Sequence, residues 1–282
     1  MPYVAPRTFV NRAGITYDAA KTTVIFAEDM NKLKDNDAYL KTEVEKVVSG
    51  WNSLGAVTYE GADAPSYTIS FASDMTSILS LGMRIKLTDS TVKYFIITKI
   101  GAFSGGKTII TLYGGTDYTL SGGAITLCYY SQLKAPFGFP LNPTKWQFSY
   151  LLTGAGFTQN TPTQNQWYNA ATISIPVGAW KVRGKGFVSA HRSTVGYISC
   201  FVALSTTNNG ATSDILQAGY FAYISWTTNQ TITNAFGMIG DIDVTSKTNY
   251  YLNGRTTDAS LTDFIFATNG GGWAILFDCA YL

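Results

Sequence analysis

Short runs of β-branched and aromatic residues, divided by glycine and aspartate turns, recur from residue 66 to the last residue of the chain. Such runs are typical of β-strands. Between residues 52 and 140 they predict a small all-β domain with strands at 66–72, 83–89, 92–100, 107–114 and 124–130. Three prolines and a glycine within 135–143 predict a linker after this domain.

A second β unit follows, and we assign residues 141–282 to it. Its predicted strands are 171–178, 179–190, 195–205, 217–226, 231–244, 248–257, 263–269 and 272–282. About eight strands in roughly 135 residues are typical of a jelly-roll β-sandwich. The fold class that we predict is therefore mainly β.

The last predicted strand is apolar on both of its faces. Trp273, Ile275, Phe277, Cys279 and Tyr281 alternate with Ala274, Leu276, Ala280 and Leu282, and only Asp278 interrupts the pattern. A strand that is apolar on both faces is usually buried on both. We expect the second face to contact another subunit.

Residues 27–51 have the pattern of a coiled-coil helix. Its predicted seam consists of Met30, Leu33, Asp37, Leu40, Val44, Val47 and Trp51, at alternating spacings of three and four residues. Gly50 is a plausible stop signal for this helix. Residues 1–26 contain two prolines and little periodicity, which indicates an extended arm.

Charge and hydropathy exclude nucleic acid and membranes from the expected partners. The chain has 282 residues with 20 basic and 18 acidic side chains, so it has no strong overall charge that would attract nucleic acid. We also expect no insertion into a membrane, because no apolar stretch reaches 18 residues. The N-terminal residues lack a basic-then-apolar run, so we expect a protein that is made in a cytoplasm and does not leave it through a cleaved signal.

The residue types that usually carry enzyme or metal chemistry are sparse. His191 is the only histidine, and we predict that it lies in a solvated loop. Asp241 and Asp243 share a strand face but do not form a recognisable catalytic pair. Cys128, Cys200 and Cys279 lack paired spacing and are predicted to be buried free thiols. We predict no enzymatic activity, no cofactor and no metal site other than the Asp37 cluster considered below.

Three cations alternate along one predicted strand. Lys181, Arg183 and Lys185 lie within WKVRGKG and would share one face of that strand. The face could contact a polyanion, or it could simply be the solvated outer face of a sheet.

Two stretches of the sequence resemble proteins of tailed phages. FAEDMNKLKDND at 26–37 resembles the helix start that is common near the N-termini of phage tail fibre and baseplate proteins. The segments at 81–100, 108–126 and 135–140 resemble, in this order, a domain that recurs in structural proteins of tailed phages. After the exit motif this chain departs from the pattern, with FPLNPTKW at 139–146.

The C-terminal unit, with ISIPVGAWKVRGKG at 173–186 and its apolar last strand, is similar to trimeric jelly rolls of the complement and tumour-necrosis-factor type. Such heads occur in phage receptor-binding proteins. This chain has no collagen-like stalk. The resemblance implies a homotrimer in the virion, on the phage tail or baseplate, assembled in the cytoplasm of the bacterial host. The N-terminal arm would bind other virion proteins.

In a trimer, two further copies of the helix would cover the predicted seam, and Asp37 would lie near the three-fold axis. Three converging carboxylates would repel one another, so their pKa values would rise, or they would hold water or bind a cation. A polar residue at this position can specify register and chain number. The alternative is that the helix packs on its own β domain and that Asp37 points to solvent.

The function that we predict from the sequence is a phage adhesin that recognises a host cell-wall saccharide at the tail tip. Aromatic, amide and charged side chains suit such a site, and the candidates are Tyr220, Tyr223, Trp226, Asn229, Tyr251, Asn253, Arg255 and Asp258. The alternative is a non-adhesive structural protein of the virion, such as a head fibre, a decoration protein or a baseplate scaffold. A depolymerase is disfavoured because no acidic pair stands out.

Overall fold

The computed structural model describes residues 27–152, 156–211, 216–224, 230–266 and 272–282. Within these residues it is mainly β, with one α-helix, α1 (Ala27–Ser49), and several antiparallel sheets. The chain divides into two compact units after Val48. We call residues 49–282 the β unit. No helix in the described part of the chain is long and apolar enough to cross a membrane.

Helix α1 covers most of the predicted coiled-coil segment. Gly50 follows its last residue with a φ of +72°, the left-handed conformation that commonly ends a helix. Trp51 therefore lies outside the helix, which corrects its assignment to the seam. Its side chain is buried in the β unit, where the indole Nε1–H donates to the Phe137 carbonyl oxygen at 2.8 Å.

The first part of the β unit is a seven-stranded antiparallel sheet. Its strands are β1 (Asn52–Ser53), β2 (Thr58–Asp63), β3 (Ser66–Phe71), β4 (Arg84–Asp89), β5 (Thr91–Ile100), β6 (Thr108–Tyr113) and β7 (Leu127–Ser131), in the spatial order β1-β7-β4-β5-β6-β3-β2. The five predicted strands are confirmed. The two additional strands, β1 and β2, lie at the edges of the sheet, where short or polar segments are common.

One face of this sheet carries its own hydrophobic core. Ile85, Leu87 and Phe95 are almost completely buried there, together with the Cys128 thiol. Burial raises the pKa of this thiol to about 12, so it remains protonated at neutral pH. Cys200 and Cys279 are also buried thiols, as predicted.

A buried carboxylate anchors the loop between β6 and β7. Asp89, at the end of β4, accepts a hydrogen bond from the Ser121 backbone N–H at 2.9 Å and one from the Ser121 hydroxyl at 2.8 Å. The Lys93 ammonium lies 3.1 Å from the same carboxylate. The backbone hydrogen bond from Ser121, followed by its hydroxyl and Lys93, lowers the pKa of Asp89 below its usual value.

Replacing Asp89 with asparagine should lower the free energy of unfolding at neutral pH by about 2 kcal/mol, because buried hydrogen bonds to a charged group are lost. The folded-state pKa of Asp89 is depressed, so its contribution is present above the unfolded pKa of about 3.9 and disappears as the pH falls through the folded value. Urea unfolding should therefore show a difference between wild type and Asp89→Asn that shrinks in acid. A difference that is independent of pH would contradict this role.

Within the described residues, ten further strands follow. They are β8 (Gln147–Leu152), β9 (Phe157–Asn160), β10 (Trp167–Ile175), β11 (Gly178–Arg192), β12 (Gly196–Ser205), β13 (Leu216–Ile224), β14 (Gln230–Val244), β15 (Thr248–Thr256), β16 (Leu261–Phe266) and β17 (Trp273–Cys279). A 3₁₀ turn at Pro143–Trp146 precedes them. All eight strands predicted in this region are confirmed, while β8 and β9 were not predicted.

These ten strands form two antiparallel sheets. A four-stranded sheet has the order β10-β15-β12-β13, and a six-stranded sheet has the order β8-β17-β11-β16-β9, with β14 paired to β11. Their inner faces share one core, which contains for example Ile198 of β12, Val182 of β11 and Phe277 of β17. The arrangement is a β-sandwich.

Strand β11 has two different neighbours along one edge. Trp180–Lys185 pairs with β17, and Val188–Arg192 pairs with β16. Between these segments, a Cβ at Gly186 would lie 2.2 Å from the Trp273 ring. The Trp273 indole also donates to the Phe187 carbonyl oxygen at 2.8 Å. The absence of a side chain at Gly186 thus leaves space for the Trp273 ring, which lies where the neighbour of β11 changes from β17 to β16.

The seven-stranded sheet and the sandwich are joined by aromatic contacts inside the β unit. The Tyr113 and Trp180 rings meet edge to face at 4.9 Å, and the Phe139 and Trp146 rings stack at 4.9 Å. The segment 135–143, predicted as a linker, is packed at this junction, and the Trp146 indole donates to the Pro140 carbonyl oxygen at 2.7 Å. The domain boundary at 140 stays a prediction.

Candidate functional site

The predicted seam residues of α1 form the first candidate surface. Leu33, Leu40, Val44 and Val47 are exposed by 62%, 60%, 59% and 82%, and Asp37 is exposed as well. Met30 lies in the same helix. Together with Asp37 these apolar side chains have spacings of three and four residues, so they share one side of the helix. We call Leu33, Leu40, Val44 and Val47 the exposed seam.

The predicted saccharide residues that the structure describes lie on two strands and directly after one of them. Tyr220 and Tyr223 belong to β13, and Trp226 and Asn229 lie outside the described residues. Tyr251, Asn253 and Arg255 alternate on β15, and Asp258 follows that strand. Because Gly254 faces the core, these three β15 residues lie on the outer face of the four-stranded sheet.

Asn253 is fully buried and holds a loop in place. Its side-chain N–H groups donate to the carbonyl oxygens of Thr207 at 2.8 Å and Gly210 at 2.7 Å. The amide nitrogen is therefore fully used inside the protein, and the loop after β12 covers this part of the outer face.

Arg255 is held between two aromatic rings. Its guanidinium carbon lies 4.9 Å from the ring centroids of both Trp167 and Phe201, on the strands at either side. Such stacking over aromatic faces stabilises a guanidinium and restricts its orientation. Sequence reasoning missed Trp167 and Phe201, since only the strand pairing places them beside Arg255.

Asp258 is also engaged inside the protein. Its carboxylate forms a largely buried ion pair with Arg192 and accepts a hydrogen bond from the Ser260 backbone N–H at 2.8 Å. Of the predicted polar residues that the structure describes, Arg255 alone combines partial exposure with an aromatic setting. Tyr197 on β12, exposed by 72% and paired in register with Tyr223 of β13, is a further aromatic residue of this sheet that the sequence did not single out.

The outer face of the six-stranded sheet holds the predicted cations. Lys181, Arg183 and Lys185 are exposed along β11, and the Arg183 guanidinium lies 2.7 Å from the Asp278 carboxylate on β17. The registers also place Ile239 of β14, exposed by 84%, opposite Arg183. The face is therefore mixed in charge and partly apolar.

His191 is located differently from its prediction. It lies in β11 rather than in a loop, and its Nδ1 is within 2.7 Å of the Asp263 carboxylate on β16. In the described ranges, no group of three or more histidine, cysteine, aspartate or glutamate side chains is arranged to hold a metal ion.

No protein-family model matches the chain, and no curated protein matches it. Among solved structures, infectious bursal disease virus of the Gx strain matches with a TM-score of 0.32 and 11% identity, covering 80% of this chain and 55% of that chain. The VP2 subviral particle of the same virus matches with a TM-score of 0.28 and 9% identity, covering 81% and 73%. The chain spans about half the length of the first of these. A likeness of this size identifies neither a family nor a function.

Proposed function

We propose that this chain is a structural component of a virion that assembles as a homotrimer through α1. Residues 1–26 would attach it to other virion proteins, and the β unit would serve as a non-enzymatic body. The main observation behind the proposal is the exposed seam. Its four large apolar side chains are exposed to solvent along one side of a highly charged helix.

An isolated helix of this kind needs a partner. Helix α1 has 23 residues, and most of its surface is polar, so tertiary or quaternary packing must supply much of its stability. Spacings of three and four are those of a left-handed coiled coil, in which each copy buries the seam of the others. Asp37 would lie among its copies in the middle of this seam.

The outer face of the six-stranded sheet supports the same assembly. Ile239 and Leu151 are exposed by 84% and 61%, and Leu276 of the last strand lies between their strands in the sheet. A sheet face of this mixed character is compatible with an interface between protein subunits, which as a whole need not be more apolar than the rest of the surface. This is the face that the apolar last strand was expected to present to another copy.

We place the structural role ahead of the saccharide adhesin predicted for the sandwich. Asn253 is fully buried and its amide nitrogen donates to two backbone carbonyl oxygens, the Asp258 carboxylate is paired with Arg192, and the Arg255 guanidinium lies between two rings. A saccharide would have to compete for groups that already stabilise the fold.

Light scattering of the full chain tests the assembly. The expected mass is three times 30.6 kDa. Leu40→Asp should reduce it to one chain without unfolding the β unit, because Leu40 lies on the exposed seam. Tyr39→Asp is the matched control, since Tyr39 is 64% exposed but lies outside the seam, and it should leave the trimer intact.

A monomeric wild-type chain, or equal effects of the two substitutions, would exclude the seam as the assembling element. The virion role is tested separately: antibodies against the β unit should label purified phage particles, and unlabelled particles would contradict it.

A further inference from the structure

On one face of the seven-stranded sheet, the side chains become less buried along β4 from Arg84 towards Thr88. Arg84, on β4, is buried at the junction with the sandwich, whereas Lys86 and Thr88, the next two residues on the same face, are only partly covered. A cleft of about 370 Å³ opens at this point. We call it the aromatic cleft, and its lining residues are Trp51, Lys86, Thr88, Val92, Tyr94, Leu127, Tyr129, Phe137 and Gly138.

The strand registers explain how the floor of the cleft is assembled. Lys86 pairs with Tyr94 of β5 on one side and with Tyr129 of β7 on the other, so the three side chains form a row across the sheet. The next row, Leu127, Thr88 and Val92, forms the open rim. Two aromatic residues thus flank one cation on a flat surface.

The wall opposite the rim is held rigidly. The hydrogen bond from the Trp51 indole to the Phe137 carbonyl oxygen joins the two wall residues, and the Phe137 backbone N–H donates to the Ser49 carbonyl oxygen at 3.0 Å. The Trp51 ring centroid lies 6.0 Å from that of Tyr94. The Phe137 ring itself is 82% exposed, so it is available to a ligand.

Among the residues that the structure describes, the cation in the floor has no acidic partner. The Lys86 ammonium lies 4.9 Å from the Trp51 ring centroid and 4.5 Å from that of Tyr129. Within the described ranges, it makes no hydrogen bond and no ion pair. Partial burial lowers the pKa of Lys86, which reflects its loss of water. An ammonium in this setting attracts an anion that can supply the missing hydrogen bonds.

We propose that the aromatic cleft binds a saccharide that carries a carboxylate or phosphate group. Tyrosine and phenylalanine faces pack against the apolar C–H faces of a sugar ring, and the Lys86 ammonium, which lies over the buried Trp51 ring, binds the anionic substituent. The Thr88 hydroxyl at the rim is placed to bond a sugar hydroxyl. The volume falls within the range of small-molecule sites. This site is separate from the outer face of the four-stranded sheet and does not depend on the trimer.

The proposal is tested by titrating the full chain with each of three soluble sugars and measuring the dissociation constants by NMR. The probes are methyl β-D-glucuronide, glucose 6-phosphate and neutral methyl β-D-glucoside. At least one anionic sugar should bind about tenfold or more tightly than the neutral one, because a charge-assisted hydrogen bond is gained. The two anionic arms distinguish a carboxylate from a phosphate ligand. Raising the salt concentration should reduce the difference.

Four variants locate the site. Lys86→Met should remove the preference for the anionic sugar, and Phe137→Ala should weaken all binding severalfold while leaving the fold intact, since its ring is exposed. Lys107→Met and Phe103→Ala are the matched controls: both residues lie in the loop between β5 and β6, outside the cleft, and are at least partly exposed, so both variants should bind like wild type. Equal affinity for all three sugars, or unchanged binding by Lys86→Met, would overturn the proposal.

Discussion

Replacing Arg84 with methionine is expected to lower the free energy of unfolding of the β unit by about 3 kcal/mol. The Arg84 side chain is buried, and its guanidinium donates to the carbonyl oxygens of Gly82 at 2.6 Å, Lys134 at 3.2 Å and Tyr281 at 3.2 Å. It also lies 4.9 Å from the Phe139 ring centroid. Methionine would fill similar space but leave these buried acceptors without donors.

Urea unfolding at fixed protein concentration measures the effect. Arg84→Lys should recover only part of the loss, because one ammonium cannot reproduce the planar set of donors. Lys134→Met is the matched control, since Lys134 is exposed and contributes to this network only through its backbone carbonyl. A stability of Arg84→Met within about 1 kcal/mol of wild type would show that solvent or rearrangement replaces the donors.

Gly254→Ala is the second large effect that we expect, a loss of about 2–3 kcal/mol. A Cβ at this position would lie 2.2 Å from Phe266 and 2.5 Å from Phe264, two rings of the opposite sheet. The sandwich would have to separate locally or displace a ring from its rotamer. Gly237→Ala on β14 is the matched control, because nothing lies within 4 Å of the added atom, and it should be nearly neutral or slightly stabilising.

The double mutant Gly254→Ala/Phe266→Leu tests whether the loss comes from the clash between the added methyl group and the Phe266 ring. Phe266→Leu alone should destabilise the chain by removing part of the core, yet it should restore some of the stability lost in Gly254→Ala. Additive effects in thermal or urea unfolding would show that the methyl group and the Phe266 ring do not compete for the same space.

The strands were predictable where their residues alternate or form β-branched runs. Strand β5, with TVKYFIITKI, and strand β14, with TITNAFGMIGDIDV after its first residue, were found because their composition alone indicates strands. Strand β2, with TYEGAD, was missed because its polar sequence carries no such signal and its place at the sheet edge comes from pairing with β3.

The candidate sites likewise divide into those that local sequence predicts and those that depend on tertiary contacts. The exposed seam was predicted from its spacing, since residues three and four apart share a side of any α-helix. Trp51 continued that spacing by coincidence, and Gly50 ends the helix before it. The aromatic cleft was not predicted, because Trp51, Lys86 and Phe137 are far apart in the sequence and no local pattern links them.

The sequence by itself determined the helix, most strands and the side of each strand that faces a core, because these depend on periodicities of 3.6 and 2.0 residues within short segments. Only the tertiary structure decided that the Asn253 amide is hydrogen-bonded to a loop, that Arg255 lies between two rings and that Lys86 lies beside the aromatic rings of Trp51 and Tyr129. The physical reason is that strand order and register bring together residues from distant segments, and these depend on the packing of the whole chain rather than on any single run of residues.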